Sequence, residues 1–386
     1  MVSSHKTAFV KDHLDFLEKS GLYRHLRTLV TEGATAKVDG KEVINLCSND
    51  YLGLSQNKQV LEKAVTALQQ VSQCSSRLIA GNHPKITELE CLLADHRRKE
   101  SALVYPTGYA ANLGVVMTIA DKSTTIFSDE LNHASIVDAC RLSGATITIF
   151  RHNDTDHLQK LMRLSQGRKI VITEGIFSMD GDVGKLLEIQ SIADHYDAIT
   201  IIDDAHGDFV FGPSFSGMPA KLGVNFDIHV SSMSKGLGCF GGYVATTMPI
   251  RELLINTSRQ FIYTSALPVH LCSAAISAIP IAKRGHLQKR LHWNIRYFSS
   301  AMKRVGFELG NSASQIIPIM IGREVQAVEL SEELLKEGVF AQAIRYPTVK
   351  KGQARLRISL SAIHRQEHLD SAVDAFRRAG KKTRVL

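Results

Sequence analysis

Two short runs place acids, an imidazole and an amine directly after predicted strands. Asp203-Asp204-Ala205-His206-Gly207 follows the apolar segment Ala198–Ile202, and Ser232-Met233-Ser234-Lys235-Gly236 follows Ile228–Ser231. Open parallel sheets bind ligands at the carboxyl ends of their strands, so both runs are expected at one edge. There the lysine can reach into a cleft beside the acids and the imidazole, which suits proton transfer and covalent chemistry at an amine. Each residue alone has a plainer interpretation, since Asp203 could cap a helix and Lys235 could be a surface lysine.

Two further runs indicate a phosphate and an aromatic ring at the same edge. Thr107-Gly108-Tyr109-Ala110-Ala111-Asn112 follows a strand that ends at Tyr105 and opens an apolar helix. The backbone amides and the threonine hydroxyl of this run predict an anion site at a helix N-terminus. The plainer interpretation is a helix cap in which the glycine is needed only for the turn. Asn132-His133-Ala134-Ser135 follows the next strand, and His133 could be a core histidine or a stacking partner.

A glycine pattern offers a rival class, the nicotinamide-dependent oxidoreductases. Gly236-Leu237-Gly238-Cys239-Phe240-Gly241 matches the dinucleotide fingerprint G-x-G-x-x-G. That fingerprint must open a helix, whereas Gly242–Thr247 continues as a strand, and no acidic residue stands about twenty positions further on. The match therefore gives the oxidoreductase class little support.

The motifs depend on a sheet that the hydrophobic pattern predicts between Ser101 and Thr247. Short apolar segments alternate there with helical patterns, as expected for strands covered on both faces. We predict an α/β fold whose large domain has a mostly parallel sheet of about seven strands with crossover helices. The predicted strands are Ala102–Tyr105, Thr124–Phe127, Ala145–Phe150, Lys169–Thr173, Ala198–Ile202, Ile228–Ser231 and Gly242–Thr246.

A break near Ala282–Gly285 separates this region from a predicted smaller C-terminal α/β domain. An apolar stripe at helical spacing runs from Leu287 to Val305. The predicted elements beyond it are strands at Gln315–Ile321, Val339–Ile344 and Arg355–Leu360 and helices at Val325–Lys336 and His368–Arg378. A helix and a turn at Asp39–Gly40 precede the large domain. We assign residues 1–46 to an N-terminal segment, 47–284 to the large domain and 285–386 to the small domain.

Composition excludes several other classes. No run of about 18 apolar residues predicts a membrane span, and Lys6, Lys11 and Asp12 interrupt any signal within Met1–Asp15. The six cysteines are scattered, without metal-ligand spacing, which favours reduced thiols in the cytoplasm and no metal site. Five basic residues of the C-terminal tail account for much of the net charge of +8, so we expect no nucleic-acid partner. The positive field suits an anionic substrate instead.

Taken together, the motifs resemble the α-oxoamine synthases over nearly the whole chain, from about Gly21 to Phe376. The runs that carry the resemblance are Ser48–Leu54, Thr107–Tyr109, Asn132–Ser135, Thr173–Asp182, Asp203–Gly207 and Ser234–Gly236. These are fold-type-I transferases that use pyridoxal 5'-phosphate to condense an amino acid with an acyl thioester, with loss of carbon dioxide. The resemblance thus implies this fold, this cofactor and a homodimer whose active site lies at the subunit interface.

Some features resemble one branch of that family, which joins L-alanine to a pimeloyl thioester, of CoA or of a carrier protein, in biotin biosynthesis. They are Glu174 with Asp182, the alanine at 205 and the run Ala343–Val349. The first alternative within the family is the branch that joins glycine to acetyl-CoA, and other α-oxoamine synthases, namely the serine palmitoyltransferases and the synthases of signal molecules, follow it. Two positions depart from the family pattern: Ser72–Arg77 lacks the glycines usual before its Ser-Arg pair, and Ile86 stands where histidine is usual.

The resemblance also implies roles for single residues. Lys235 would carry the cofactor as a Schiff base and then act as a base, while Asp203 would pair with the pyridine nitrogen. His133 would stack on the ring, and His206 would hydrogen-bond its oxygen. The other residues implied to bind the cofactor are Gly108, Tyr109, Ser178, Ser232 and, from a second subunit, Thr264 and Ser265. Those implied to bind substrate are Arg24, Asn49, His133, Arg345, Thr348 and Arg357, the last by clamping the carboxylate.

Overall fold

The computed structural model describes residues 5–20 and 22–386. Two parts of the chain lie outside the described residues. One is Met1–Ser4, at the start of the segment in which we expect no signal, and the other is Gly21, where the family resemblance begins. In the part of the chain that is described, no helix is both long and apolar enough to cross a membrane.

The strands follow the apolar segments closely. They are β1 Leu29–Glu32, β2 Thr35–Val38, β3 Lys41–Asn45, β4 Ser101–Tyr105, β5 Thr124–Asp129, β6 Thr146–Phe150, β7 Arg168–Glu174, β8 Ala198–Asp203, β9 Ile228–Ser232, β10 Gly242–Thr246, β11 Ile316–Gly322, β12 Val339–Phe340, β13 Gln342–Ile344 and β14 Ala354–Ser359. Within residues 22–386, seven of them form the central sheet in the order β4-β10-β9-β8-β7-β5-β6. Only β10 opposes its neighbours in this sheet, so the predicted mostly parallel sheet is confirmed.

Helices cover both faces of the central sheet and build the C-terminal region. They are α1 Ala8–Lys19, α2 Lys58–Thr66, α3 Pro84–Arg97, α4 Gly108–Ile119, α5 Ala134–Ser143, α6 Thr155–Leu164, α7 Leu186–His195, α8 Gly217–Leu222, α9 Met248–Thr257, α10 Arg259–Ile262, α11 Val269–Ala282, α12 His286–Val305, α13 Glu324–Lys336 and α14 Gln366–Lys382. Their positions agree with the predicted helices of the C-terminal region.

The alternation of side chains along each strand fixes this layering. Ile170 and Ile172 of β7 pack on one face of the sheet with α4 and α5, whereas Val171 packs on the other face. Both faces are apolar because crossover helices bury them, which explains the nearly continuous apolar segments in the sequence. The carboxyl ends of β5, β7, β8 and β9 therefore meet at one edge of the sheet.

The C-terminal region has its own antiparallel sheet, in the order β11-β14-β13. The prediction of one strand over Val339–Ile344 is wrong, because the chain divides at the buried Ala341. Val339–Phe340 pairs with β3, and Gln342–Ile344 pairs with β14. Each half satisfies its backbone groups in a different sheet, so the segment cannot continue as one strand.

The N-terminal strands form a meander, β1-β2-β3, that pairs with β12. The predicted turn at Asp39–Gly40 joins β2 to β3, and both residues have positive φ, 49° and 83°. Such backbone angles are typical of the two-residue hairpin turns that suit the twist of paired strands. The N-terminal segment is thus tied to residues 339–340, while the three-part domain division stays a prediction.

Candidate active site

Lys235 lies in the loop after β9 with its amine directed at His206. Its Nζ is 2.9 Å from His206 Nε2. Burial lowers the pKa of Lys235, and the carboxylates of Asp203 and Glu174 oppose that effect only in part. A lowered pKa raises the fraction of neutral amine, which is the nucleophilic form of lysine.

Asp203 ends β8 and is held on both oxygens. Asn112 Nδ2 of α4 lies 2.7 Å from Asp203 Oδ2, and the Ala205 backbone N–H donates to Oδ1 at 2.9 Å. Asn112 also donates to Ser135 Oγ at 2.9 Å. These contacts fix the carboxylate at the sheet edge, where the sequence places it.

The neighbouring Asp204 points into a different environment. Its Oδ2 accepts from Arg97 at 2.8 Å and from the Met218 backbone N–H at 3.1 Å. Arg97 also pairs with Asp208 at 3.2 Å, and both side chains are buried. Asp204 therefore belongs to a buried ion-pair network behind the sheet edge, which leaves Asp203 as the acid that faces the cleft.

Glu174 is a buried carboxyl group to which the sequence prediction gave no role. It ends β7 directly beside Asp203 in the parallel register, and its Oε1 accepts the His133 backbone N–H at 2.5 Å. Burial, and then the charge of Asp203, raise the pKa of Glu174 well above its ordinary value. His133 Nδ1 caps α5 by accepting the Ser135 backbone N–H at 3.2 Å, and the His133 side chain is exposed.

The helix N-terminus at which the sequence predicts an anion site is the start of α4. Thr107 Oγ1 caps the helix by accepting the Ala110 backbone N–H at 3.0 Å. A Cβ at Gly108 would stand 3.2 Å from Ser232 Cβ, so glycine lets the end of β9 approach the helix N-terminus. Tyr109 is exposed, and its hydroxyl donates to Asp138. The amides of α4 and the Ser232 hydroxyl are thereby brought close together.

Arg357 of β14 reaches the same edge from the C-terminal region. Its Nε donates to the Ser178 carbonyl, and its NH1 lies 3.2 Å from Asn49 Oδ1 and 2.8 Å from Ser359 Oγ. Gln315 adds a second tie by donating to the His206 carbonyl at 2.8 Å. The structure thus brings Asn49, Ser178 and Arg357 together.

Arg24, Arg345 and Thr348 share a separate cleft of about 630 Å³. Arg345 NH2 donates to the Tyr23 carbonyl at 3.2 Å, and the Arg345 carbonyl accepts the Thr348 backbone N–H at 3.0 Å. Gln342 also lines the cleft and is the register partner of Arg357. The cleft therefore lies next to the strand that carries Arg357.

Thr264 and Ser265 lie in the segment between α10 and α11. Ser265 forms a β-bridge with Ser76, and Thr264 and Ser265 line a small cavity together with the fully buried Ile86. In the preceding segment, Cys74 has a φ of 51°, a conformation that favours glycine. In the segment where the family usually has glycines, this chain therefore has a cysteine with left-handed backbone angles.

A histidine outside the predicted set fastens two loops at the sheet edge. His152 Nδ1 is 2.9 Å from Asp129 Oδ1, and its Nε2 is 2.7 Å from Asp182 Oδ2. Partial burial opposes the charged ring, but the hydrogen bonds that its two N–H groups donate to the carboxylates raise the pKa of His152 to about 10. The cationic ring links the end of β5 to the loop that carries Ser178.

Sequence reasoning assigned no role to Tyr51, Asn112, His152 or Glu174. Tyr51 and Asn112 belong to runs that the sequence analysis noted, but a local run does not show which distant side chain each residue contacts. The hydroxyl of Tyr51 lies 2.6 Å from His206 Nδ1, across 155 positions of the chain. The only sequence signal that could have pointed to these residues was the presence of polar side chains near the carboxyl ends of strands.

Comparison with known proteins identifies the family of the chain. Residues 41–376 match the model of the aminotransferase class I and II family. Two proteins named 8-amino-7-oxononanoate synthase are similar over nearly full lengths. The one from Thermoanaerobacter pseudethanolicus is 41% identical, covering 100% of both chains, and the one from Thermosipho melanesiensis is 39% identical, covering 98% of both.

A solved structure of a serine palmitoyltransferase with PLP internal aldimine is also similar. It is 30% identical and superimposes with a TM-score of 0.93 over 99% of both chains. The predicted fold-type-I architecture is confirmed by this match. The chain therefore belongs to the aminotransferase class I and II family and, within it, to the α-oxoamine synthases.

Proposed function

We propose that the chain catalyses the reaction of 8-amino-7-oxononanoate synthase. It condenses L-alanine with a pimeloyl thioester, of CoA or of a carrier protein, and releases carbon dioxide, in biotin biosynthesis. The observation that carries the proposal is the buried Lys235 amine between His206, Asp203 and Glu174, in a chain 41% identical over its full length to an enzyme of that name.

The residues at the sheet edge fit pyridoxal 5'-phosphate. A buried amine with a lowered pKa suits its aldehyde, a carboxylate suits its ring nitrogen, and the N-terminus of α4 suits its phosphate. We assign the phosphate to Gly108, Tyr109 and Ser232, and the ring to His133, Ser178, Asp203 and His206. When bound, the cofactor supplies an electron sink for the bonds around the amino-acid Cα.

The mechanism assigns separate tasks to the chain's own groups. Lys235 Nζ takes the proton from the alanine Cα and later returns one to the product. Asp203 keeps the ring nitrogen protonated, because an adjacent anion favours the charged form. Asn112 holds that carboxylate in place, and His133 presents a flat face that orients the ring.

Substrate recognition is divided between two places. Arg357 would grip the alanine carboxylate, since its planar fork suits bidentate binding, and Asn49 orients it. The cleft of Arg24, Arg345 and Thr348 would accept the acyl chain. A positive arginine pair suits the polar end of a pimeloyl group, whose methylenes each contribute about 0.8 kcal/mol when buried.

The proposed enzyme is a cytoplasmic homodimer. Several large apolar side chains of residues 65–79 are exposed, among them Val65, Val71 and Ile79, a pattern typical of interaction surfaces. Ser265 pairs with Ser76 of this segment, and we assign Thr264 and Ser265 to the active site of the second copy. The cysteines are free thiols, in keeping with a reducing compartment.

A competition assay tests the proposal. The protein loaded with pyridoxal phosphate is given alanine, glycine or serine, each with pimeloyl-CoA, acetyl-CoA or palmitoyl-CoA, and products are identified by mass spectrometry. Alanine with pimeloyl-CoA should give the highest kcat/KM. A faster reaction of glycine with acetyl-CoA, or of serine with palmitoyl-CoA as the solved relative's name suggests, would refute the substrate assignment.

A further inference from the structure

A chain of hydrogen bonds leads from Lys235 through the buried side chains of His206 and Tyr51, and then through Asn49, to Arg357. Lys235 Nζ is 2.9 Å from His206 Nε2, and His206 Nδ1 is 2.6 Å from the Tyr51 hydroxyl. That hydroxyl is 3.2 Å from Asn49 Oδ1, which Arg357 NH1 also contacts at 3.2 Å. Tyr51 is fully buried, so water does not replace these partners.

The charged ends of the chain determine its direction. A guanidinium can only donate, so the Asn49 atom that faces Arg357 must be its carbonyl oxygen. Asn49 Oδ1 therefore accepts the hydrogen bond of the Tyr51 hydroxyl. The Tyr51 oxygen can then accept a hydrogen bond from the Nδ1–H of His206. At the other end a Lys235 ammonium can only donate, and it needs an unprotonated His206 Nε2.

His206 carries a single ring proton. Burial, and then the positive charge of Lys235, lower the pKa of His206 well below its ordinary value, so the ring is neutral. A neutral imidazole has one N–H, and its location is set by the partner of the other nitrogen. The tautomer of His206 is therefore decided at Nδ1, where Tyr51 is its partner.

We propose that Tyr51 is a positioning residue whose hydroxyl accepts the Nδ1–H of His206 and so presents an unprotonated Nε2 to the Lys235 amine. The inference rests on the proposed function for the importance of Lys235, but the contacts that carry it are independent of any substrate. Through this contact Tyr51 adds to the effects that burial, the carboxyl groups of Asp203 and Glu174, and the charge of Arg357 have on the pKa of Lys235.

The first test uses the cofactor-free protein. In Tyr51→Phe the Nδ1–H loses its acceptor, the ring proton moves to Nε2, and the Lys235 ammonium loses its acceptor in turn. The pKa of Lys235, measured by competitive acetylation with acetic anhydride across pH and mass spectrometry of its peptide, should fall by about one pH unit. An unchanged pKa of Lys235 would overturn the proposal.

Tyr105→Phe provides the matched control. Tyr105 is also buried, and its hydroxyl donates to Ser258 Oγ at 3.1 Å, outside the chain of contacts. This variant should leave the pKa of Lys235 unchanged. An equal fall in both variants would mean that loss of any buried hydroxyl loosens the site, which also overturns the proposal.

The second test uses the loaded enzyme with alanine and pimeloyl-CoA. Tyr51→Phe should lower kcat by about 10- to 100-fold, while the KM for alanine stays near the wild-type value. A rise in that KM with kcat unchanged would instead place Tyr51 with Asn49 and Arg357, contrary to the proposal. If the wild type turns over no substrate pair, the proposed function fails and the acetylation result still decides the role of Tyr51.

Discussion

Replacing His152 with glutamine should remove a charged link whose contribution to stability depends on pH. The folded-state pKa of about 10 lies above the ordinary value of 6.5, so protonation favours the folded state. The contribution is complete below about pH 6.5 and disappears as pH rises through about 10. The full separation of the two pKa values corresponds to about 5 kcal/mol, and we expect about 2–4 kcal/mol because the ring is 20% exposed to solvent.

The assay is urea unfolding of the cofactor-free protein, followed by circular dichroism at about pH 6 and about pH 10.5. His152→Gln should unfold at lower urea than wild type at the acidic pH, because Asp129 and Asp182 lose the cation between them. The two proteins should converge at the alkaline pH. His195→Gln, at an exposed histidine, is the control and should change the free energy by less than about 0.5 kcal/mol at either pH. A His152→Gln deficit of equal size at both pH values would refute the charged link.

Two further predictions concern the site itself. Asp203→Asn should retain the cofactor but lose about 10²–10⁴-fold in kcat. Asp204→Asn should lose stability and keep its turnover, because the wild-type Asp204 carboxylate contacts Arg97 and not the cleft. A near-normal kcat in Asp203→Asn would contradict the assignment. Arg357→Lys should raise the KM for alanine about 10- to 100-fold without changing the KM for the thioester, because lysine cannot bind a carboxylate through two parallel hydrogen bonds. Steady-state kinetics with each substrate varied in turn would measure both KM values. An unchanged KM for alanine would rule out the carboxylate clamp.

The central sheet could be predicted because burial on both faces leaves a direct mark on the sequence. Each of its strands is a short apolar run, and the ends of β8 and β9 placed Asp203 and Lys235 at one edge. The segment 339–344 was harder, since its residues have strand character throughout. The division at Ala341 depends on β3 and β14, which are distant in the chain.

Adjacent acids show the same limit at the level of side chains. Asp203 and Asp204 are alike in sequence, and only the position of Arg97 on α3 separates the one that faces the cleft from the one behind it. Glu174 likewise gained its meaning from the register of β7 with β8, which sets it beside Asp203. Such partners are defined by tertiary contacts, so no local pattern predicts them.

The covalent attachment of the cofactor to Lys235 is the most direct test of the account. Purified protein loaded with pyridoxal phosphate should be yellow, and borohydride reduction should fix the cofactor to the chain. Mass spectrometry of the digested protein should then find the added pyridoxyl group on the peptide that contains Lys235. Label on a different lysine, or none on Lys235, would contradict the account.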